Sequence, residues 1–184
     1  MKSANWISHI PNIETSRLTL RQIQRADAAD IFKLYSDIEV LQYTDNKLHA
    51  TIEDSNFFIH NIEIKFSEKI MVCWGISIKK TPEIIGTIRL YHPDFYHRFI
   101  SIGNLLSKTH WNKGFMTEAQ ESISHFAFEK MNMHRVEAQI FVGNVASIKT
   151  FEKIGYQYEG KLRQNFLING NLENSLLYSL LNTP

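Results

Sequence analysis

Cysteine is almost absent from this 184-residue chain: Cys73 stands alone, so no internal disulfide can staple the fold. Val72 and Trp74 place it in a strand-like run, where a free thiol serves as a small apolar side chain rather than a nucleophile. Proline and glycine are sparse, 4 and 8 residues, and no Pro/Gly/Ser-rich linker or shift in composition divides the sequence. With 43% hydrophobic residues, it can bury one substantial core, and we expect a single domain over residues 1–184. Neither sign of charge dominates. Lys+Arg number 20 against Asp+Glu 19, a formal net charge of +1, interspersed rather than blocked. That balance argues against nucleic acid as the principal ligand, because phosphate-backbone binding needs a basic face. The apolar runs are too short to span a bilayer, and Met1 to Pro11 lacks the charged-then-apolar pattern of a secretory signal. A cytoplasmic monomer or homodimer without a membrane partner is expected. The eight histidines show no H-E-x-x-H or comparable ligand spacing, so no metal is expected. Neither G-x-x-x-x-G-K-[ST] nor G-x-G-x-x-G occurs, and there is no internal repeat.

What the chain does contain is a glycine turn between an apolar strand and an amphipathic helix. Phe99 to Leu106 reads as a strand, Trp111-Asn112-Lys113-Gly114-Phe115-Met116-Thr117-Glu118 follows, and Ala119, Ile123, Phe126 and Ala127 recur at helical spacing. Amides in a first helical turn lack intrahelical partners and sit at the positive end of the dipole, so they can hold a phosphate or pyrophosphate. Gly114 would let backbone approach that anion closely. The same residues also make an ordinary strand–turn–helix joint. A second such unit follows: the apolar strand Arg135 to Val142, then Asn144 to Tyr156, with Asn144 placed as an N-cap and Gly155 as the left-handed residue that ends a helix.

Read along its length, the chain alternates as a strand at Arg17 to Ile23 and carries Ala28, Ile31, Phe32 and Tyr35 at helical spacing within Asp27 to Ser36. Thr51 opens another helix, with Asp54 three residues on as a near capping box. Ile70 to Ile78 and Ile84 to Tyr91 are β-rich, broken by Thr81-Pro82. Tyr91 to Arg98 reads as a polar connection into the strand before the glycine turn. Near the end, Asn169-Gly170 between Leu162 to Ile168 and Leu172 to Leu181 is the dipeptide preferred in a two-residue hairpin. The order, one strand, two helices, three strands, helix, strand, helix, two strands, predicts an α+β fold with a mixed sheet.

In order and spacing, five segments together resemble the GNAT superfamily of acetyl-coenzyme A-dependent N-acetyltransferases, particularly the ribosomal-protein N-terminal acetyltransferase-like branch. They are Glu14 to Arg21, Trp111 to Ala119, His134 to Ala138, Asn144 to Tyr156, and the ending Asn169-Gly170 to Leu176–Leu181. The resemblance implies a mixed, mostly antiparallel sheet of about seven strands, flanked by helices and splayed between the fourth and fifth long strands. It implies acetyl-CoA as cosubstrate, with the pantetheine arm in the cleft beside Asn104, Leu105 and Leu106. The pyrophosphate would lie on the turn Trp111, Asn112, Lys113, Gly114, Phe115, Met116 and Thr117. Asn144, Ser147 and Phe151 would line the second helix. Direct attack on the thioester needs a neutral amine held near the carbon, with backbone donors aimed at the developing oxyanion; the amides around Leu105 and Leu106 are the candidates.

Chemistry residues depart from the family pattern. Many relatives place a tyrosine where Phe151 stands, and phenylalanine has no proton to give. Ser147 is the position from which that branch can protonate the leaving thiolate, although serine early in a helix equally caps nearby backbone. Ser101 and Phe166 occupy positions where relatives carry a glutamate, and Asn174 one where they carry an aspartate. Glu137 and Glu118 are the carboxylates at hand for a general base, each of which also has a structural reading. Otherwise water would take the proton. A protein N-terminal α-amine is the expected acceptor, because no acidic cluster suits a polyamine or aminoglycoside. Those small-molecule amines, a GNAT module that binds acetyl-CoA without turnover, and an interaction domain with an empty anion turn are the alternatives. Tyr35 to Asn46 and the hairpin near Asn169 are expected to wall the acceptor side.

Overall fold

The computed structural model describes residues 5–168 and 170–183. Its first strands are β1 (Ile13–Glu14) and β2 (Leu18–Gln22), followed by helices α1 (Ala28–Tyr35), α2 (Ile38–Leu41) and α3 (Ile52–Ser67). Strands β3 (Met71–Ile78), β4 (Gly86–Asp94) and β5 (Phe99–Leu106) lead to α4 (Phe115–Glu129) and β6 (Arg135–Phe141). Helix α5 (Val145–Lys153) and the hairpin β7 (Gln157–Ile168) and β8 (Asn171–Leu181) complete the chain. The eight strands form one sheet in the order β1-β2-β3-β4-β5-β6-β8-β7. Every neighbouring pair is antiparallel except β5–β6, so the fold is α+β with a mixed, mostly antiparallel sheet.

Two apolar layers cover the sheet, which is why β3 is buried on both faces along almost its whole length. On one face Trp74 meets Phe126 of α4, their ring centroids 5.4 Å apart, within a core that includes Ile88, Ile100, Val136 and Ile140. On the other, Cys73 and Met71 pack with Ile31, Leu34 and Ile59 from α1 and α3. Cys73 is thus the core side chain expected of it, and burial pushes its thiol up to about 12. The capping box at Thr51 is complete: its Oγ1 accepts from the Asp54 amide at 3.4 Å, and the Asp54 carboxylate accepts from the Thr51 amide at 2.9 Å. Gly155 has φ +93°, as the end of α5 requires.

Several boundaries differ from expectation, each for a local reason. Two elements went unread: β1 is two residues long and α2 four, too short for either to show a period. The first raises the strand count from about seven to eight. The connection after Tyr91 is not wholly irregular, because β4 runs on to Asp94 with a shift of register against β5 between Tyr91 and Asp94, and His92 takes φ +50° there. Strand β7 begins at Gln157 rather than Leu162; it is a largely exposed edge strand without the alternation that marks a half-buried one. Asn169 lies outside the described residues, but Ile168 pairs with Asn171, as a two-residue loop demands.

The start of α4 is tied across the chain to the loop before β2. Glu118 Oε1 accepts from Thr15 Oγ1 at 2.6 Å, Ser16 Oγ at 3.0 Å and the Arg17 amide at 2.8 Å. Glu118 Oε2 pairs with Arg17 Nε at 2.7 Å. Arg17 Nη1 donates to the Lys113 carbonyl at 2.8 Å, and its guanidinium covers the Phe115 ring at 4.7 Å. Burial raises the Glu118 carboxyl, yet the hydrogen bonds from Thr15, Arg17 and Ser16 outweigh it and hold the pKa at about 2. The side-chain role of Glu118 is therefore structural. A carboxyl lowered on folding stabilises above its unfolded pKa and loses that contribution as pH falls. Glu118→Gln should destabilise the fold by on the order of 2 kcal/mol at neutral pH. Denaturation of parent and variant should converge as pH falls from 4.5, the ordinary value, toward about 2; a difference independent of pH would contradict the assignment.

Candidate active site

The parallel pairing of β5 with β6 is short. It registers Phe99 with Arg135, Ile100 with Val136 and Ser101 with Glu137, and then the strands part. Strand β6 stays paired with β8 from Arg135 to Phe141, while β5 stays with β4 as far as Leu106 opposite Gly86. This is the splay expected between the fourth and fifth long strands. The gap opens a cleft of about 680 Å³, within the usual range for a small-molecule site.

Backbone polarity alternates along β5 and identifies the groups facing the gap. The Ser107 amide donates to Ile85 at 2.8 Å on the β4 side, whereas the Arg98 carbonyl accepts from His134 at 2.7 Å and Arg135 at 3.1 Å on the β6 side. Residues of even number therefore direct N–H and C=O toward β6, and odd ones toward β4. The amides of Asn104 and Leu106 point into the gap beyond the last pair with β6. Leu105 is corrected as an oxyanion donor: its side chain lines the cleft, but its backbone faces β4, where a Cβ on Gly86 would come 2.5 Å from its carbonyl oxygen. The Leu106 carbonyl accepts from Trp111 Nε1 at 2.8 Å, which fastens the strand end to the glycine turn. The Asn104 side chain is held by Gln120 Nε2 at 3.0 Å.

The turn has the geometry its sequence implies. Asn112 at φ +60° and Gly114 at φ +75° reverse the backbone, and the first intrahelical bond runs from the Glu118 amide to the Gly114 carbonyl at 3.2 Å. The amides of Phe115, Met116 and Thr117 consequently have no partner within the helix. Trp111, Asn112, Gly114, Phe115, Met116 and Thr117 all line the cleft; Lys113 does not, and its Nζ bonds the Thr109 carbonyl at 2.8 Å. A pyrophosphate fits this backbone-lined helix start by its charge and by the number of free donors.

Helix α5 forms the opposite wall. Asn144 caps it, its Oδ1 accepting from the Ser147 amide at 3.1 Å, so that cap reading holds while Asn144 also lines the cleft. Ser147 and Phe151, four residues apart, share one helical face, and both line the cleft. Phe151 is buried against Tyr156, ring centroids 4.8 Å apart. Among the described residues the Ser147 hydroxyl has no protein hydrogen-bond partner, only its amide and carbonyl being used.

Glu137 is placed elsewhere. It is absent from the residues lining the cleft and pairs with Arg135 Nε at 2.6 Å. The same arginine takes both oxygens of Glu159, at 2.5 and 2.6 Å, and Ser179 donates to that carboxylate as well. The Arg135 hydrogen bonds hold the Glu159 carboxyl at about 2. Glu137 thus belongs to an ion-pair network, although its charge still reaches Tyr91, which lines the cleft. Ser101 and Phe166, by contrast, do line it, and neither brings a carboxylate. Asn174 accepts from the Gln164 amide at 2.9 Å, stabilising a bulge at which Gln164 has φ +51°.

Tyr43, Asp45 and Asn46 line the cleft from within the Tyr35–Asn46 stretch expected to wall the acceptor side, whereas Arg89, Tyr91 and His92 escaped the sequence reading. Arg89 had a signal, since a charge between Ile88 and Leu90 interrupts a run otherwise fit for burial. The others had none, because they meet only through folding. Arg17, which shapes the helix start, was legible only as part of the Glu14–Arg21 stretch.

An acetyltransferase (GNAT) domain profile matches residues 17–157. Over 171 residues the chain is 34% identical to the uncharacterized N-acetyltransferase YoaA of Bacillus subtilis, covering 93% of this chain and 97% of that one. It is 24% identical to the spermidine N(1)-acetyltransferase of Vibrio cholerae, over 86% and 89% of the two chains. The fold is also that of the ribosomal-protein-S5-alanine acetyltransferase from Vibrio fischeri, with a TM-score of 0.82, 22% identity and coverage of 95% and 100%. The splayed sheet with a free helix start lining its cleft defines the class, and the chain belongs to the GNAT acetyltransferase family. It is an acetyl-CoA-dependent N-acetyltransferase.

If backbone amides rather than Lys113 hold the pyrophosphate, the two obvious substitutions should differ sharply. Gly114→Val puts a β-branched residue at φ +75°, a conformation costing about 1–3 kcal/mol, and should weaken coenzyme A binding about tenfold or more. Lys113→Ala removes an exposed charge and should change it by less than about threefold. Titration calorimetry giving the reverse order would sink the backbone account.

Proposed function

We propose that this enzyme acetylates a protein N-terminal α-amine by direct attack on acetyl-CoA. The observation that carries the reading is the charge of the acceptor half of the cleft. Among the described residues, the only carboxylates lining it are Glu39 and Asp45, and Glu39 is paired with Lys108 at 2.5 Å. Arg89 lines the same half. A polyamine carries its charge along its length and needs a carboxylate-rich site, so this lining disfavours it, even though spermidine acetyltransferases stand among the relatives. An α-amine also asks least of the protein. With a pKa near 8, roughly a tenth of it is neutral at pH 7, against about one in 2,500 for a lysine-like amine. That matches a cleft with serine at 101 and phenylalanine at 166.

In this reading the neutral amine forms the new N–C bond as the C–S bond breaks, and the amide of Leu106 donates to the developing oxyanion, with Asn104 beside it. Ser147 gives its hydroxyl proton to the departing thiolate and regains one from solvent. Water accepts the proton from nitrogen. Glu137, paired with Arg135, is assigned no proton transfer.

Ser147→Ala should lower turnover on the order of a hundredfold with little change in acetyl-CoA affinity. With chemistry shown to be rate-limiting, unchanged turnover would exclude Ser147 as the proton donor. Across pH, kcat/KM should rise with the ionisation of the acceptor, near 8 for an α-amine, without a lower enzyme ionisation. An additional lower ionisation, removed by Glu137→Gln, would restore Glu137 as base. Greater kcat/KM for spermidine than for N-terminal peptides would overturn the acceptor assignment.

A further inference from the structure

Arg89 is a charged side chain on an inner strand that, among the described residues, makes no direct ion pair, although the charge of Asp45 reaches it. Strand β4 lies between β3 and β5, and the residues flanking Arg89, Ile88 and Leu90, are fully buried. Its Nη1 donates to the neutral Asn46 Oδ1 at 3.1 Å, and its guanidinium carbon lies 5.4 Å from the Tyr91 ring centroid. No carboxylate among the described residues forms an ion pair with it. Elsewhere in the molecule the contrast is plain: Arg21 and Asp27 pair at 2.7 Å, as do Arg17 and Glu118, and Arg135 holds two carboxylates. A guanidinium removed from water costs free energy unless an anion meets it. Arg89 lines the cleft, so the anion can arrive there from solution.

The backbone is arranged to accommodate the group. Gly103 is its neighbour in register on β5, where a Cβ would come 3.2 Å from Arg89 Nε and 3.6 Å from Nη2. The absence of that carbon lets the fork lie close against the strand. Nε and Nη2 make no hydrogen bond to described residues, and together they form the edge that takes a carboxylate through two parallel bonds. Gly103 is three residues from Leu106, roughly 10 Å at about 3.3 Å per residue. An acceptor whose amine reaches the carbon beside Leu106 would therefore present its first or second residue to Arg89.

We propose that Arg89 selects the acceptor by binding a carboxylate close to the reacting amine, so that the preferred substrates are N-termini with an acidic side chain in their first two residues. This rests on the N-terminal reading above. A free amino acid could supply the same chemistry through its α-carboxylate, and the two sources are separable. Asp45 and His92 also face the acceptor half from exposed positions; the charge of Asp45 reaches Arg89, but neither residue bonds Nε or Nη2, so the fork stays open.

The experiment compares kcat/KM at saturating acetyl-CoA for C-terminally amidated peptides beginning Ser-Asp and Ser-Asn, for free serine and glutamate, and for spermidine. The parent enzyme should favour Ser-Asp over Ser-Asn by about tenfold or more, as expected for a charge-assisted bidentate pair. Arg89→Gln should bring that ratio close to one, and Arg89→Lys, which keeps the charge without the fork, should retain only part of it. A purely structural role for Arg89 would lower both rates together and leave the ratio unchanged. Coenzyme A affinity, measured on each variant, reports whether the cleft has kept its shape. Equal rates for Ser-Asp and Ser-Asn in the parent would overturn the proposal while leaving the N-terminal reading standing. Preference for free amino acids, lost in Arg89→Gln, would support Arg89 and remove the protein acceptor. Preference for spermidine would overturn both.

Discussion

The whole site depends on one failure of pairing. After Ser101 and Glu137, β5 and β6 part, β6 keeping to β8 along its full length and β5 keeping to β4. Backbone groups left unpaired inside a protein are costly. They are tolerated here because they face a cleft, where water or a ligand can meet them. The separation of two strands thereby produces a slot for an extended cosubstrate arm and amide donors at the point where charge would develop. The helix start at Gly114 lies at the mouth of the same slot, held by the bond from Trp111 to the Leu106 carbonyl. A small shift of β6 toward β5 would close both features together.

Charge within the cleft is distributed against expectation for a base-assisted reaction. The carboxylates that sequence made available are committed elsewhere, Glu118 to the loop at Thr15–Arg17 and Glu137 to Arg135. Both commitments are rigidifying. The first orients the helix whose first turn lines the cleft, and the second joins β6 to the final hairpin through Arg135 and Glu159. Lining the cleft are Ser147, Arg89 and the backbone of the β5 end and the α4 start, with Glu39 and Asp45 the carboxylates there among the described residues. Such a centre works by holding reactants in position and by favouring developing negative charge, and it suits an amine that is already partly neutral.

Much of this architecture was legible along the chain because its signals are local. The capping box at Thr51, the cap at Asn144 and the left-handed Gly155 each depend on residues within a few positions. So does the glycine turn before α4. Periodicity also separated the major strands from the helices, since one-sided burial imposes its spacing on any sequence that folds this way. The two-residue β1, the edge start of β7 and the four-residue α2 left no comparable pattern.

By itself, then, the sequence determined the α+β class, the glycine turn before α4, the resemblance to GNAT acetyltransferases and the absence of a tyrosine at Phe151. Tertiary structure alone decided which carboxylates are spent on packing, that Leu106 rather than Leu105 turns its amide to the gap, and that Arg89 lines the cleft. The reason is distance along the chain. Glu118 meets partners 101 to 103 residues away, and Arg89 meets Asn46 across 43. No local rule reports whether a charge will find its counterion once the strands are in register.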